Sequence, residues 1–362
     1  MNKYKVCVYA ICKNEEKFVK RWYESMKEAD LVVVLDTGST DNTVSELKKC
    51  GAIVKELNIT PWRFDVARNE SLKLVPDDID ICVCTDLDEV FEPGWREKVE
   101  NSWKNSITRL RYNYNWNFDD YGNPATSFYI NKIHSRHDYK WTHPVHEVLT
   151  YIGWEKEIEE QCDGIVVNHY ADNNKSRSSY LPLLEMSVEE DPNDDRNMHY
   201  LGREYMFYNK WNEAIETLKK HLNLPTATWK DERCASMRFI ARCYIGLENN
   251  EEAKVWYEKA ISEAPYLREA YVEKANLEYN ENNYSDAYIL LKKAFEIKNK
   301  SNSYINEEFC WNYYIYDLLS IVAYNLGLYE EAYESCKKAY ELAPNDERIK
   351  NNLELMKKSR LI

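Results

Sequence analysis

Apolar residues recur along the first part of the chain in short, largely β-branched runs, at residues 6–12, 31–35, 52–56 and 80–85. Their length and composition predict strands. Between them, residues 15–27, 41–49 and 64–74 place apolar positions at helical spacing. This alternation predicts a mostly parallel sheet with helices on both faces, an α/β, Rossmann-like domain. A hairpin is expected next, because residues 109–118 and 126–133 flank the turn-rich string 119–124. Tyr112, Tyr114, Trp116 and Phe118 share one face of its first strand, either as plain core or as the wall of an acceptor site.

From about residue 195 the pattern is purely helical and repeats. Small residues recur in one frame at Ala214, Ala253, Ala287 and Ala332. A second series stands seven positions further on, at His221, Ala260, Ala294 and Ala339. Ala253 to Ala287 and Ala260 to Ala294 are both steps of 34 residues. Leu201-Gly202-x-x-Tyr205 and Ala241-x-x-Tyr244 occupy first-helix positions, and Pro225, Pro265 and Pro344 close three units. This is the tetratricopeptide pattern, in which small residues let paired helices pack closely. Four units are expected, beginning near 195, 234, 268 and 313, with about five residues inserted after the first and about eleven near 298–306. Such repeats stack into an all-α array whose concave face holds peptides or proteins, extends a core or makes a dimer. The expected domains are 1–172, a linker and helix at 173–194, and the repeats at 195–362. Within the linker, 173–179 is polar, 180–190 is helical in pattern, and 191–195 is a break that offers a cap for the first repeat.

Composition narrows the partners. The net charge of −14 disfavours nucleic acid and anionic membranes, and solubility alone accounts for it. The ten cysteines form no Cys-x-x-Cys pair, and several sit in apolar runs, as small core residues do. No apolar run approaches the roughly 18 residues of a membrane span. The first is too short, and too soon followed by charge, for a secretory signal. A cytoplasmic protein with free thiols is expected.

Candidate chemistry concentrates before residue 90. The strand-like run Ile81-Cys82-Val83-Cys84-Thr85 ends in Asp86-Leu87-Asp88-Glu89. Strand ends face the crevice where α/β sheets bind ligands. On an extended chain Asp86 and Asp88 would point the same way, as a pair of oxygen ligands for Mg²⁺ or Mn²⁺, although a solvated acidic turn has the same sequence. Upstream stand Lys13-Asn14-Glu15-Glu16 after a strand, Asp36-Thr37-Gly38-Ser39-Thr40-Asp41-Asn42-Thr43 after another, and Ala67-Arg68-Asn69 within a helix.

In order and spacing these segments resemble family 2 GT-A glycosyltransferases, with their runs N-E-E, D-x-G-S-x-D-x-T, A-R-N and D-x-D-E. The resemblance is clear over about 4–103 and looser to about 170. The appended repeats are similar to those of bacterial family 2 enzymes, some of which glycosylate peptides, including at cysteine. The resemblance implies a nucleotide-sugar donor, most often UDP-linked, and a divalent cation that offsets charge on the leaving diphosphate. By the same resemblance Asp88 coordinates the cation, Asp86 reaches the ribose or the metal, Asp36 meets the base, Ala10 marks the strand-end backbone against which the nucleoside lies, and Arg68 stands on the donor side. An ion pair of Arg68 with Asp65 or Glu70 on its own helix is the structural alternative. A late histidine often completes the metal site, and His169 fits that place, with His146 second. Inverting displacement needs a general base on the acceptor side. The usual Glu-Asp-aromatic motif is absent, and Glu147 of Val145-His146-Glu147-Val148 is the nominee, unless it is a surface residue at a strand start. A thiol acceptor would make less demand on that base.

The expected activity is therefore inverting, metal-dependent transfer of a hexose or N-acetylhexosamine from a UDP-sugar to a peptide or protein acceptor held by the repeats. The array could instead serve a homodimer. Transfer to a surface glycan or lipid-linked sugar is the alternative, and a repeat-based scaffold with an inactive N-terminal domain is the alternative of another class.

Overall fold

Every residue of the first strand is buried, and the N-terminal sheet is built outward from it. The structure is a computed structural model that describes residues 3–104, 106–119, 122–172, 178–301 and 303–359. The elements begin β1 (Val6–Cys12), α1 (Glu16–Met26), β2 (Leu31–Asp36), α2 (Thr43–Cys50), β3 (Ile53–Glu56), α3 (Phe64–Leu72), β4 (Ile81–Thr85) and β5 (Glu89–Phe91). They continue with α4 (Trp95–Ser102), β6 (Arg109–Phe118), β7 (Pro124–Ser135), β8 (Tyr139–Thr142), β9 (Val148–Tyr151), β10 (Glu159–His169) and α5 (Tyr180–Glu190). Near residue 187 the chain divides into two units. Two expected features, the tip of the hairpin at 120–121 and the linker stretch 173–177, lie outside the described residues.

The main sheet has the order β3-β2-β1-β4-β7-β6-β10-β5. Its first four strands are parallel, as the alternation predicts, and β7 then joins β4 antiparallel. Side chains alternate across the sheet. Val6, Val8 and Ala10 pack with Phe18, Val19 and Trp22 of α1, while Cys7 and Tyr9 pack with Leu72 of α3 and with Trp141 and Leu149 of the small β8–β9 sheet. The antiparallel half carries the site. β6 and β7 form the expected hairpin, β10 runs parallel to β6, and β5 returns antiparallel to β10 with Glu89 opposite His169.

The second unit pairs α6 (Asp195–Phe207) with α7 (Trp211–Asn223), α8 (Lys230–Gly246) with α9 (Asn250–Glu263), α10 (Glu269–Asn280) with α11 (Tyr284–Glu296), and α12 (Tyr313–Asn325) with α13 (Tyr329–Leu342), before α14 (Glu347–Ser359). All eight residues of the two repeating series are fully buried. Gly202 shows why small residues are needed: a Cβ there would meet Leu218 Cγ at 2.5 Å. Asp194 caps α6 by accepting from the Asn197 amide at 3.0 Å. The second repeat starts at Lys230, earlier than the expected 234. Its first helix runs 17 residues, and Asp231 and Glu232 in its first turn favour that extra length at the positive helix end. The stretch between α11 and α12 that carries the insertion ends in the 3₁₀ turn Glu308–Cys310.

Candidate active site

The motif segments of the N-terminal half are locked to one another. Asn14 leaves β1 in the left-handed region (φ 55°), which asparagine tolerates better than most residues. Its amide donates to Ser39 Oγ at 2.8 Å, and its Oδ1 accepts from the Thr40 amide at 2.7 Å. The Glu15 amide donates to Thr43 Oγ1 at 2.7 Å, and Asp41 accepts from the Glu16 and Thr43 amides. Asp36, almost wholly buried, accepts from the Gly38 and Ser39 amides at 3.0 and 2.9 Å. Asp36 thus closes its own turn, and Asp41 caps the helix start. Asn69 clamps β8 by exchanging bonds with the Trp141 backbone at 2.8 and 3.0 Å.

Arg68 makes neither of the expected helix-internal pairs. It is 3% exposed and reaches out of α3 to Asp86 Oδ1 (2.5 Å) and Glu147 Oε1 (3.0 Å). Asp65 instead pairs with Arg63 at 2.9 Å. Two half-buried carboxylates on one buried, forked guanidinium make the strong, oriented type of ion pair.

The extended geometry expected of Asp86 and Asp88 is corrected by the structure. β4 stops at Thr85, and residues 86–89 form a turn in which the Glu89 amide donates to the Asp86 carbonyl at 3.0 Å while Glu89 Oε2 accepts from the Asp86 amide at 3.0 Å. The turn sends the two aspartates to different partners. Asp86 meets Arg68 through Oδ1 and Lys132 Nζ through Oδ2 at 3.3 Å, so both its oxygens are engaged by cations. Burial would raise this carboxyl, but Arg68 and Lys132 hold it well below the usual range.

Asp88 Oδ2 faces His169 Nε2 at 3.5 Å. The register of β5 on β10 brings them together, and the Tyr170 amide donates to the Asp88 carbonyl at 2.8 Å. His169 Nδ1 lies 2.9 Å from the Trp116 carbonyl, which only an N–H can satisfy, so the neutral ring presents its Nε2 lone pair toward Asp88. Burial opposes protonation of His169, but the Asp88 carboxylate more than offsets it and raises the pKa. His146, the second choice, has φ 51° and packs edge-on against Tyr180 at 5.6 Å.

Lys132 and Glu89 complete the cluster, and sequence reasoning missed the lysine. Lys132 Nζ sits 3.0 Å from Glu89 Oε1, and Tyr114 Oη donates to the same oxygen at 3.0 Å. Burial, opposed by Lys132 but reinforced by Asp86 and Asp88, raises the Glu89 carboxyl. Arg68 and Lys132 face Asp86, Glu89 and Glu147, while Asp88 faces His169. The Asp88 carboxylate suits Mg²⁺ or Mn²⁺, and the His169 imidazole favours a transition ion such as Mn²⁺. The residues present therefore fit the implied ion.

Ala10 is fully buried within β1, paired with Val34 on one side and Thr85 on the other, two residues short of the strand end. The end of β1 is Cys12, so Lys13 and Asn14 occupy the crevice edge. The aromatic face divides as well. Tyr112 and Tyr114 are core, whereas Trp116, within an irregularity of the β6–β7 register, is exposed, and Phe118 is half-buried against Tyr170.

Residues 7–151 match the family model of glycosyl transferase family 2. The N-terminal domain is a family 2 glycosyltransferase domain. Residues 239–266 and 313–346 match the tetratricopeptide repeat model. No curated protein matches the chain. Among solved structures, the chain is similar to the MamA protein (20% identity, 47% of this chain and 85% of that one, TM-score 0.36). It is also similar to the tetratricopeptide protein TTC0263 of Thermus thermophilus (19% identity, 51% and 91%, TM-score 0.35) and to yeast Tom70 (18% identity, 52% and 37%, TM-score 0.39). No helix among the described residues is long and apolar enough to cross a membrane.

A second grouping of possible metal ligands, Asp195, His221 and Glu232, lies among the repeats of the glycosyltransferase-linked array. Helix-end electrostatics account for it: the two acids begin α6 and α8, and His221 stands in the last turn of α7.

Proposed function

We propose that the protein transfers a sugar from a nucleoside diphosphate donor, UDP-linked, to a peptide or protein acceptor, with inversion. Residues 1–172 supply the chemistry and 195–362 hold the acceptor. The observation that carries this reading is the tether from His169 Nδ1 to the Trp116 carbonyl, which leaves Nε2 aimed at Asp88 inside a family 2 domain. Asp88 and His169 would hold Mn²⁺ or Mg²⁺, which supplies Lewis-acid stabilisation of the leaving diphosphate. Asp86, fixed between Arg68 and Lys132, would accept from the donor ribose. Asp36 would serve the base from its turn at the end of β2. Glu147 would take the acceptor proton while Arg68 orients it. A cytoplasmic setting belongs to the same reading, supported by ten cysteines carried as free thiols.

The test is hydrolysis of UDP-glucose and UDP-N-acetylglucosamine by the full chain with Mn²⁺. Slow turnover abolished by chelator and by Asp88→Asn, with the helical circular dichroism unchanged, is expected. Turnover that persists in chelator would overturn the metal assignment.

A further inference from the structure

Trp116 is a large apolar residue left 48% exposed beside the candidate catalytic centre. Its indole stacks on His169, with ring centroids 4.5 Å apart and planes 19° from parallel. The same residue's carbonyl holds His169 Nδ1 at 2.9 Å, and His169 Nε2 faces Asp88. Tyr114 also stacks on His169, at 5.9 Å, but is buried and engaged with Glu89. Trp116 is thus the open member of an aromatic stack that begins at the end of the site assigned to the donor diphosphate.

We propose that Trp116 is a binding platform for the pyranose ring of the donor. This rests on the donor reading above. A sugar is one bond from the diphosphate, so a diphosphate held at Asp88 and His169 brings the pyranose next to the exposed indole. A pyranose has an apolar C–H face and a polar rim. An indole offers the matching apolar plane, and the water-exposed rim of the site leaves the sugar hydroxyls solvated. The stack on His169 gives the platform a fixed place, because the imidazole, held by the backbone carbonyl, supports one face of the indole.

The carbonyl tether belongs to the backbone, so Trp116→Ala and Trp116→Phe remove or shrink the ring while keeping the hydrogen bond to His169. The experiment is calorimetric titration of the full chain with UDP, UDP-glucose and UDP-N-acetylglucosamine in Mn²⁺. Trp116→Ala is expected to weaken the UDP-sugars by roughly three- to tenfold and leave UDP within about twofold, with Trp116→Phe between wild type and Ala. Equal weakening of UDP and UDP-sugar would mean that the ring acts only through His169, and would overturn the platform. Unchanged affinity for every ligand would overturn it too. A wild-type chain that fails to bind UDP would instead overturn the donor reading, and the platform with it.

Discussion

Arg68 Nε lies 3.0 Å from Glu147 Oε1, joining helix α3 to a residue 79 positions further along the chain. The other arm of the same guanidinium holds Asp86 Oδ1 at 2.5 Å. One buried cation therefore fixes both the carboxylate assigned to the ribose and the one assigned to the acceptor proton. Removing the cation leaves Glu147 without its ion pair and Asp86 with Lys132 alone, and losing one partner of a buried pair costs up to about 3–5 kcal/mol. Arg68→Met is expected to lose that amount in urea unfolding at pH 7, and Arg68→Lys to lose less, since an ammonium keeps the charge but cannot span both partners as a fork does. A loss below about 1 kcal/mol in Arg68→Met would show that the cluster is not held together by this residue.

Glu147 can be told apart as base or as prop by how its loss divides between binding and turnover. As general base, Glu147→Gln lowers kcat by about 10²- to 10⁴-fold while donor affinity holds. As prop alone, it frees Arg68, shifts Asp86, and raises the donor KM with little change in kcat. The first outcome is expected. Single-turnover transfer and UDP titration on the same variant read both quantities.

Much of this arrangement is legible from residue order, because the motifs stand at strand and helix ends that periodicity locates. The repeat frame is legible for a simpler reason: all eight small or frame positions must be buried for helices to meet, and they are. The illegible parts are set by irregular backbone. Between Leu110 and Tyr112 on β6 and their partners Ile133 and Ile130 on β7, the ladder carries an extra residue, and Lys132 lies in that bulge. Bulges re-aim side chains, and period-two patterning does not report them. The Asp86–Glu89 turn is hidden for the same reason: four residues that read as the continuation of a strand fold back through one backbone bond with Glu89 and one to its side chain. The resemblance puts Ala10 at a strand end, whereas the apolar run 6–12 itself carries the strand to Cys12, where Ile11 and Cys12 find parallel partners in Leu35 and Asp36.

Acid should destabilise the N-terminal domain through His134. This fully buried imidazole sits in a closed chain of hydrogen bonds: Trp141 Nε1 donates to Tyr9 Oη at 2.9 Å, Tyr9 Oη donates to His134 Nε2 at 2.8 Å, and His134 Nδ1 donates to the Ser135 carbonyl at 2.7 Å. Every proton is placed with the ring neutral, and burial pushes its pKa down to about 3. The unfolded chain protonates it near pH 6.5. Between those values the unfolded state binds one more proton, so stability falls as pH falls, by up to about 1.4 kcal/mol per pH unit. Urea unfolding at pH 7, 6 and 5 is expected to show this slope reduced by about that amount in His134→Gln. Identical slopes would mean that His134 is already charged in the native domain.

In the repeats, Glu273 of α10 is expected to act as the charged pin between units. It is buried and accepts from Arg238 and Arg242 of α8, the latter at 3.0 and 2.8 Å, while Arg242 also reaches Glu307 at 2.7 Å. Burial would raise its carboxyl, but the two guanidinium groups lower it to about 2. A carboxyl lowered in the folded state contributes stability above its ordinary value near 4.5, and that contribution fades as pH drops through about 2. Glu273→Gln keeps the shape and removes the charge, leaving Arg238 and Arg242 to share Glu307 alone. The helical signal of the full chain is expected to melt with about 3–5 kcal/mol less stability at pH 7, and the deficit relative to wild type to shrink between pH 4.5 and 2. A variant that melts like wild type at pH 7 would show that the arginines are satisfied without Glu273, through Glu307 and the Ile305 carbonyl that Arg238 also contacts.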